Sequence, residues 1–231
     1  MEPVVTLRAA VALLGRFPAL AGVDLDVGTG EVVLVRGPNG AGKTSLLRAC
    51  AGLLPIVDGV ADVLGHDLLD ARSRRAVRRR VGLLGHATFL YDDLTVADNV
   101  RFWARASGAS EQEGRMAMAR LGLEGRLVDT PVARLSTGQR RRASIACMVA
   151  RRPELWLLDE PHAGLDQLGR DVVDALITDA AVAGATVIVA SHELERATAI
   201  APRTITMAGG VVIDDSAAAP SGRPAAVEAV P

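Results

Sequence analysis

Lysine is nearly missing from this sequence. Of 26 basic residues in a chain of 231, only Lys43 is a lysine and the others are arginine. An ammonium kept where guanidinium is used everywhere else marks a place that needs a compact charge between phosphate oxygens, a task the planar arginine fork does poorly. Cysteine is scarce as well. Cys50 and Cys147 stand far apart in stretches that read as helix, which excludes a disulfide framework or a cysteine metal site and leaves two small buried hydrophobes of a reducing compartment. Net charge is close to nil, with 26 basic against 27 acidic side chains, so no bulk positive field exists to hold nucleic acid and no nucleic-acid partner is expected. No run of about 18 uncharged apolar residues occurs, which excludes a membrane-spanning helix. The apolar stretch 9–14 is flanked by Arg8 and Arg16 and preceded by Glu2 where a basic region would stand, so it reads as a strand and not as a signal peptide. Aromatics make up only 3%, yet hydrophobic residues reach 49% and charged residues 23%, the balance of a globular chain with one large domain or a tight pair of subdomains.

What is present is strongly patterned. Alternating apolar residues predict strands near 4–14, 23–27 and 32–35, and a helix over 43–52 with Leu46 and Leu47 turned inward. Asp58-Gly59 has the composition of a hairpin turn between short strands. The Arg-rich stretch 68–80 reads as a helix with a solvated basic face, followed by a short strand over 81–84. Thr95 with Asp98, and Ser110 with Glu113, carry the polar cap and acid-at-plus-three pattern that satisfies free amides at a helix start, so about 92–150 is mostly helical. The stretches 155–158 and 186–190 are short, wholly apolar and partly β-branched, as buried parallel strands are, and the helix predicted over 168–183 between them implies a parallel crossover. After Asp215 the chain turns to small residues and proline.

Three short constellations carry chemistry. Gly37-Pro38-Asn39-Gly40-Ala41-Gly42-Lys43-Thr44-Ser45 follows a predicted strand and opens a helix. That is the context in which successive backbone amides cradle phosphates, a lysine reaches the β and γ oxygens and a threonine hydroxyl faces magnesium. Further on, the strand 155–158 ends in Asp159-Glu160, at the carboxyl end where ligands of open α/β sheets bind. Asp159 suits Mg2+, and Glu160 suits the orientation or deprotonation of an attacking water. Leu135-Ser136-Thr137-Gly138-Gln139 then Arg140-Arg141-Arg142 offers a hydroxyl and a close amide at a helix start, which serves equally as a plain helix cap or as a second anion site.

Taken in order with Ser191-His192 after a further strand, these motifs resemble the nucleotide-binding subunits of ATP-binding cassette (ABC) transporters, over roughly residues 4–214. Residues 37–44 resemble Walker A, 155–159 Walker B, and 135–139 the signature usually written LSGGQ, with Thr137 at its first glycine. The resemblance implies an α/β fold: a P-loop NTPase core with a small antiparallel β subdomain and a helical subdomain over about 92–150, residues 1–215 forming the domain and 216–231 a disordered tail. It implies ATP and Mg2+ as cofactors, with Lys43, Glu160 and His192 catalytic, and Thr44, Asp159 and His86 facing the metal. Residues 37–45 would hold nucleotide, Phe17 would stack on adenine, and Asp166 resembles the D-loop acid. Ser136, Gly138 and Gln139 of one subunit would close the site of another. The partners so implied are ATP, integral membrane transporter subunits, and a second nucleotide-binding subunit in a homodimer or pseudo-dimer, at the cytoplasmic face of the cell membrane.

One departure narrows the resemblance. Where the family usually has the Q-loop glutamine, this chain has Gly85-His86. With Gln139-Arg140-Arg141-Arg142 and Leu155-Trp156-Leu157-Leu158-Asp159-Glu160-Pro161, that pair is similar to the ATPases of the haem exporters that serve cytochrome c maturation. An ATPase of another ABC exporter, a soluble ABC ATPase without a transport role, and a P-loop small-molecule kinase are the alternatives. A kinase leaves residues 136–139 and His192 without a task.

Overall fold

The wholly apolar stretches become the centre of the molecule. In the computed structural model, which describes residues 3–85 and 87–217, β3 (Val32–Arg36), β7 (Leu155–Asp159) and β8 (Thr186–Ala190) lie in a six-stranded sheet. Its order is β10-β9-β3-β8-β7-β6, where β6 is Val81–Leu84, β9 is Arg203–Ala208 and β10 is Val211–Asp215. All neighbours pair in parallel except the β9–β10 hairpin. A parallel sheet must be covered on both faces, and the alternation along each strand shows how. Leu155, Leu157, Ile188 and Val33 enter one hydrophobic core, whereas Trp156, Leu158, Val187 and Leu34 enter another. Burying each large side chain contributes about 1.5–3 kcal/mol, so both layers are needed.

The first core is closed by an antiparallel sheet in the order β2-β1-β4-β5 and by α1. Here β1 is Pro3–Leu14, β2 Phe17–Gly28, β4 Ile56–Val63, β5 His66–Asp67 and α1 Lys43–Cys50. The second core is closed by α3 (Val96–Ala106), α4 (Glu111–Arg120), α5 (Thr137–Ala150), α6 (Gln167–Val182) and α7 (Leu194–Ile200). The caps expected from sequence form: Thr95 accepts from the amide of Asp98, and Ser110 with Glu113 makes a reciprocal capping box. Cys50 and Cys147 are buried, and burial pushes both thiols up to about 12.

Four local expectations are corrected. Asp58-Gly59 is not a turn; it lies inside β4, where Gly59 at φ +83 sits against the bulged residue Ala9, and a Cβ there would come within 2.4 Å of the Ala9 carbonyl oxygen. Strand β2 begins at Phe17, well before 23, because Leu14 and Phe17 pair across a tight hairpin. The Arg-rich helix α2 is Ala71–Arg80, starting later than 68 because Asp70 caps it by accepting from the amide of Ser73. Its arginines do not form one solvated face. Arg74, Arg78 and Arg80 donate to the carbonyls of Leu68, Gly52 and Leu64 and lock the helix in place, although Arg78, like Arg72, Arg75 and Arg79, stays exposed. Of the expected tail, Ser216 and Ala217 are tied to Thr204 and Asp215, and residues 218–231 lie outside the described residues.

Candidate nucleotide site

The loop between β3 and α1 is shaped by glycines that no other residue replaces cheaply. Gly37 has φ +146 and a Cβ there would lie 2.2 Å from the Met207 carbonyl oxygen; Gly42 caps α1 at φ +103 with the Ala19 carbonyl 2.9 Å from such a Cβ. Strand β2 thus abuts the loop through Ala19, and Phe17, 78% exposed, begins that strand two residues earlier. Lys43 Nζ donates to the carbonyls of Gly37 at 2.7 Å and Pro38 at 3.1 Å, so the one ammonium of the chain is held over the loop that also presents the first amides of α1.

Strand β7 delivers the acids. Asp159 is buried and its Oδ2 accepts from Thr44 Oγ1 at 2.7 Å, joining Walker-type loop and strand end. Glu160 has the left-handed value φ +49. Its Oε2 meets Ser191 Oγ and the His192 amide at 3.4 Å each, and His192 Nδ1 at 2.8 Å. The hydrogen bond to Glu160, reinforced by that carboxylate's charge, raises the pKa of His192 above its ordinary value. The imidazole itself remains 76% exposed, facing solvent beside the phosphate loop.

The residues 136–139 stand apart from this cluster. Ser136 caps α5 by accepting from the Gln139 amide, and Gln139 Oε1 accepts from the Ser136 amide. The cap and an anion site do not compete, because a hydroxyl that accepts an amide still has its own proton to donate. Gly138 packs so closely on the Gly164 carbonyl that a Cβ would lie 2.9 Å from it. Asp166 caps α6, held in its charged form first by the Gly169 amide and also by Arg142 Nη2 at 2.8 Å. Among the described residues no hydrogen bond joins 136–139 to 37–45. His86 lies outside the described residues.

A divalent ion fits the Thr44–Asp159 pair on chemical grounds. Among the described residues no group of three His, Cys, Asp or Glu is placed to hold a metal ion, so a hydroxyl and one carboxylate would supply the protein's oxygens and the other positions would fall to phosphate and water, as Mg2+ accepts readily.

Sequence reasoning passed over Arg141. Its side chain is buried, and it donates to four main-chain carbonyls: Gly85 (2.6 Å), Asp159 (3.0 Å), Glu160 (2.5 Å) and Pro161 (3.4 Å). The signal was periodic, since 141, 145 and 148 fall on the buried face of α5. His162, buried behind β7 and 2.7 Å from Asp174 on α6, was missed too.

Comparison with known proteins gives the family and the fold. The model of the ABC transporter family matches residues 20–163. The cytochrome c biogenesis ATP-binding export protein CcmA of Nitrobacter winogradskyi is 39% identical, over 74% of this chain and 83% of that protein. The hemin import ATP-binding protein HmuV of Streptomyces coelicolor is 38% identical, over 85% and 72% respectively. A bacterial ABC transporter cassette solved as a dimer superposes with a TM-score of 0.83 at 24% identity, covering 92% of this chain and 97% of that one.

Proposed function

Because the chain belongs to the ABC transporter family and is an ATP-hydrolysing subunit coupled to transport, we propose that it powers export of haem, or of a related molecule, for cytochrome c biogenesis. Residues 1–215 act as its nucleotide-binding domain, with 92–150 as the helical subdomain. The loop amides of 37–45 and Lys43 bind the phosphates of ATP, and Phe17 stacks on the base. Thr44 and Asp159 hold Mg2+, which when bound offsets charge on the phosphates. Glu160 orients the attacking water and takes its proton, and His192 holds the Glu160 carboxylate in that direction. The observation that carries this assignment is the convergence of Ser191, His192 Nδ1 and the His192 amide on one oxygen of Glu160, next to the Thr44–Asp159 contact.

Among the described residues Ser136, Gly138 and Gln139 make no hydrogen bond to their own phosphate loop, and they complete the site of a second copy. The membrane subunits dock beside residues 85–91. Four of the six aromatics of the chain, Phe89, Tyr91, Phe102 and Trp103, gather there next to a groove of 270 Å3. Clustering so much apolar surface in a chain poor in aromatics marks a contact site. No helix among the described residues is long and apolar enough to cross a membrane, so the subunit is held at the cytoplasmic face by that contact.

A second reading is haem import, favoured by the 38% identity to a hemin import subunit. Expression in a strain lacking its CcmA decides between them. Export predicts restored covalent haem staining of c-type cytochromes by the parent and not by Lys43→Ala; import predicts growth on hemin as iron source in a strain lacking that uptake ATPase, with cytochromes unrestored.

A further inference from the structure

We propose that Arg141 is a positioning residue that ties the hydrolytic carboxylate to the helix opened by Ser136, so that displacement of α5 misaligns Glu160. A buried guanidinium ordinarily takes a carboxylate partner, and this one takes none among the described residues. All its recorded hydrogen bonds go to main-chain carbonyls, three from consecutive residues 159–161 and one from Gly85 at the end of β6. Burial lowers its pKa, opposed by the charges of Asp159 and Glu160.

The geometry explains the expense. Glu160 is non-glycine at φ +49, a backbone state that persists only where surroundings over-determine it. Its amide is fixed by the Ala190 carbonyl at 2.8 Å, and its own carbonyl is held by Arg141 Nη2 at 2.5 Å and the Ala163 amide at 3.2 Å. With both peptide groups pinned, the Cα–Cβ bond of Glu160 is fixed in direction, and from that base its carboxylate meets Ser191 and His192. The fork that pins it is planar and has donors in fixed directions, so it spans two strand ends as one rigid unit. Arg141 lies five residues after Ser136 on a continuous α5, which also makes the cap contacts of 136–139. A movement of that helix therefore reaches both Glu160 and the segment that leaves Gly85 through a single side chain.

This rests on the reading of Glu160 as the group that handles the attacking water, and the test separates the two. Steady-state ATP hydrolysis and equilibrium ATP binding are measured on the full chain for Arg141→Gln, Arg141→Lys, Glu160→Gln and the double variant Arg141→Gln/Glu160→Gln. Arg141→Gln is expected to lower kcat roughly 10- to 100-fold, the cost of misplacing a reacting group by about an ångström. ATP affinity stays within about threefold, because the phosphate loop is untouched, and the lysine variant recovers part of the rate through its three donors. In the Glu160→Gln background the second substitution adds little, as expected of residues acting as one unit. A kcat within twofold of the parent, a parallel loss of ATP affinity, a lysine variant no faster than glutamine, or fully multiplicative losses each overturn the proposal. If Arg141→Gln does not fold, the lysine variant alone carries the comparison of kcat against affinity. Undiminished hydrolysis by Glu160→Gln would instead sink the reading of Glu160 and leave the clamp to be judged by Arg141 alone.

Discussion

The two ends of the parallel sheet use charge in opposite ways. At the carboxyl ends of β3, β7 and β8, Lys43, Asp159, Glu160 and His192 face a common space, and Lys43 is met by carbonyls and by no carboxylate. At the amino ends lies a cavity of 1090 Å3, where the arginines are already spent: Arg80 on Glu154, Arg120 on Asp179 and Arg152 on Glu113, each at 2.6 Å. Size alone would put a substrate in such a cavity. Chemistry favours the other end, the site proposed for ATP, because a phosphate needs cations and amides free to meet it. The cavity is walled by neutralised pairs, whereas at the carboxyl ends Lys43 meets only carbonyls among the described residues.

Substitutions at each end sharpen this contrast, and the largest effect belongs to Glu160→Gln. Loss of a positioned base is expected to lower kcat about 10²- to 10⁴-fold while ATP still binds. Size-exclusion chromatography of this variant with ATP should show a dimer, and a monomer at saturating ATP would break the composite-site reading. Lys43→Ala follows, with ATP hydrolysis down at least about 100-fold and ATP binding weakened, since no other lysine exists to replace the charge. Fluorescence binding and turnover on the same preparation check it.

The amino-end substitutions are expected to touch stability and spare turnover. Arg203 on β9 grips Asp215 of β10 at 2.6 and 3.0 Å and Glu31 at 2.7 Å, in a setting where both side chains of the Arg203–Asp215 pair are largely covered. The hydrogen bonds from Arg203 hold the Asp215 pKa below the usual carboxylate range. A depressed folded pKa means that the unfolded chain binds the proton more readily. The added stability is therefore complete above the ordinary aspartate value of about 3.9 and is lost as pH falls through the lower folded value. Asp215→Asn should cost about 1 kcal/mol at neutral pH and converge with the parent in acid, as read by urea unfolding at several pH values. Smallest is Arg80→Met. Its pair with Glu154 is about half exposed, so the expected loss is below about 1 kcal/mol, with ATP turnover within twofold. A large drop in turnover would show that the two ends of the sheet communicate.

How much of this was legible varied with how local the cause is. The phosphate loop was readable because its glycines, lysine and threonine act through their own backbone and nearest neighbours. The caps at Thr95, Ser110 and Ser136 were readable for the same reason, since donor and acceptor lie three residues apart. Gly59 misled because a glycine at positive φ serves a turn or a bulge equally, and only its partner strand, with Ala9 bulged opposite, tells which. The Arg run misled because partners of Arg74, Arg78 and Arg80 are carbonyls of loops that the helix meets only after folding.

The sequence by itself determined the elements that close within a few residues: a single ammonium on a glycine-turned loop, apolar strands too short and too continuous for anything but a buried sheet, and capped helices between them. Only the tertiary structure decided where the acids point. Glu160 follows Asp159 in any conformation of the chain, but it faces His192 because Ala190 fixes its amide and Arg141 its carbonyl, from a strand and a helix distant in sequence. Local propensity sets φ and ψ for residues whose costs are paid by neighbours; a residue held at φ +49 needs contacts that exist only once the sheet has formed.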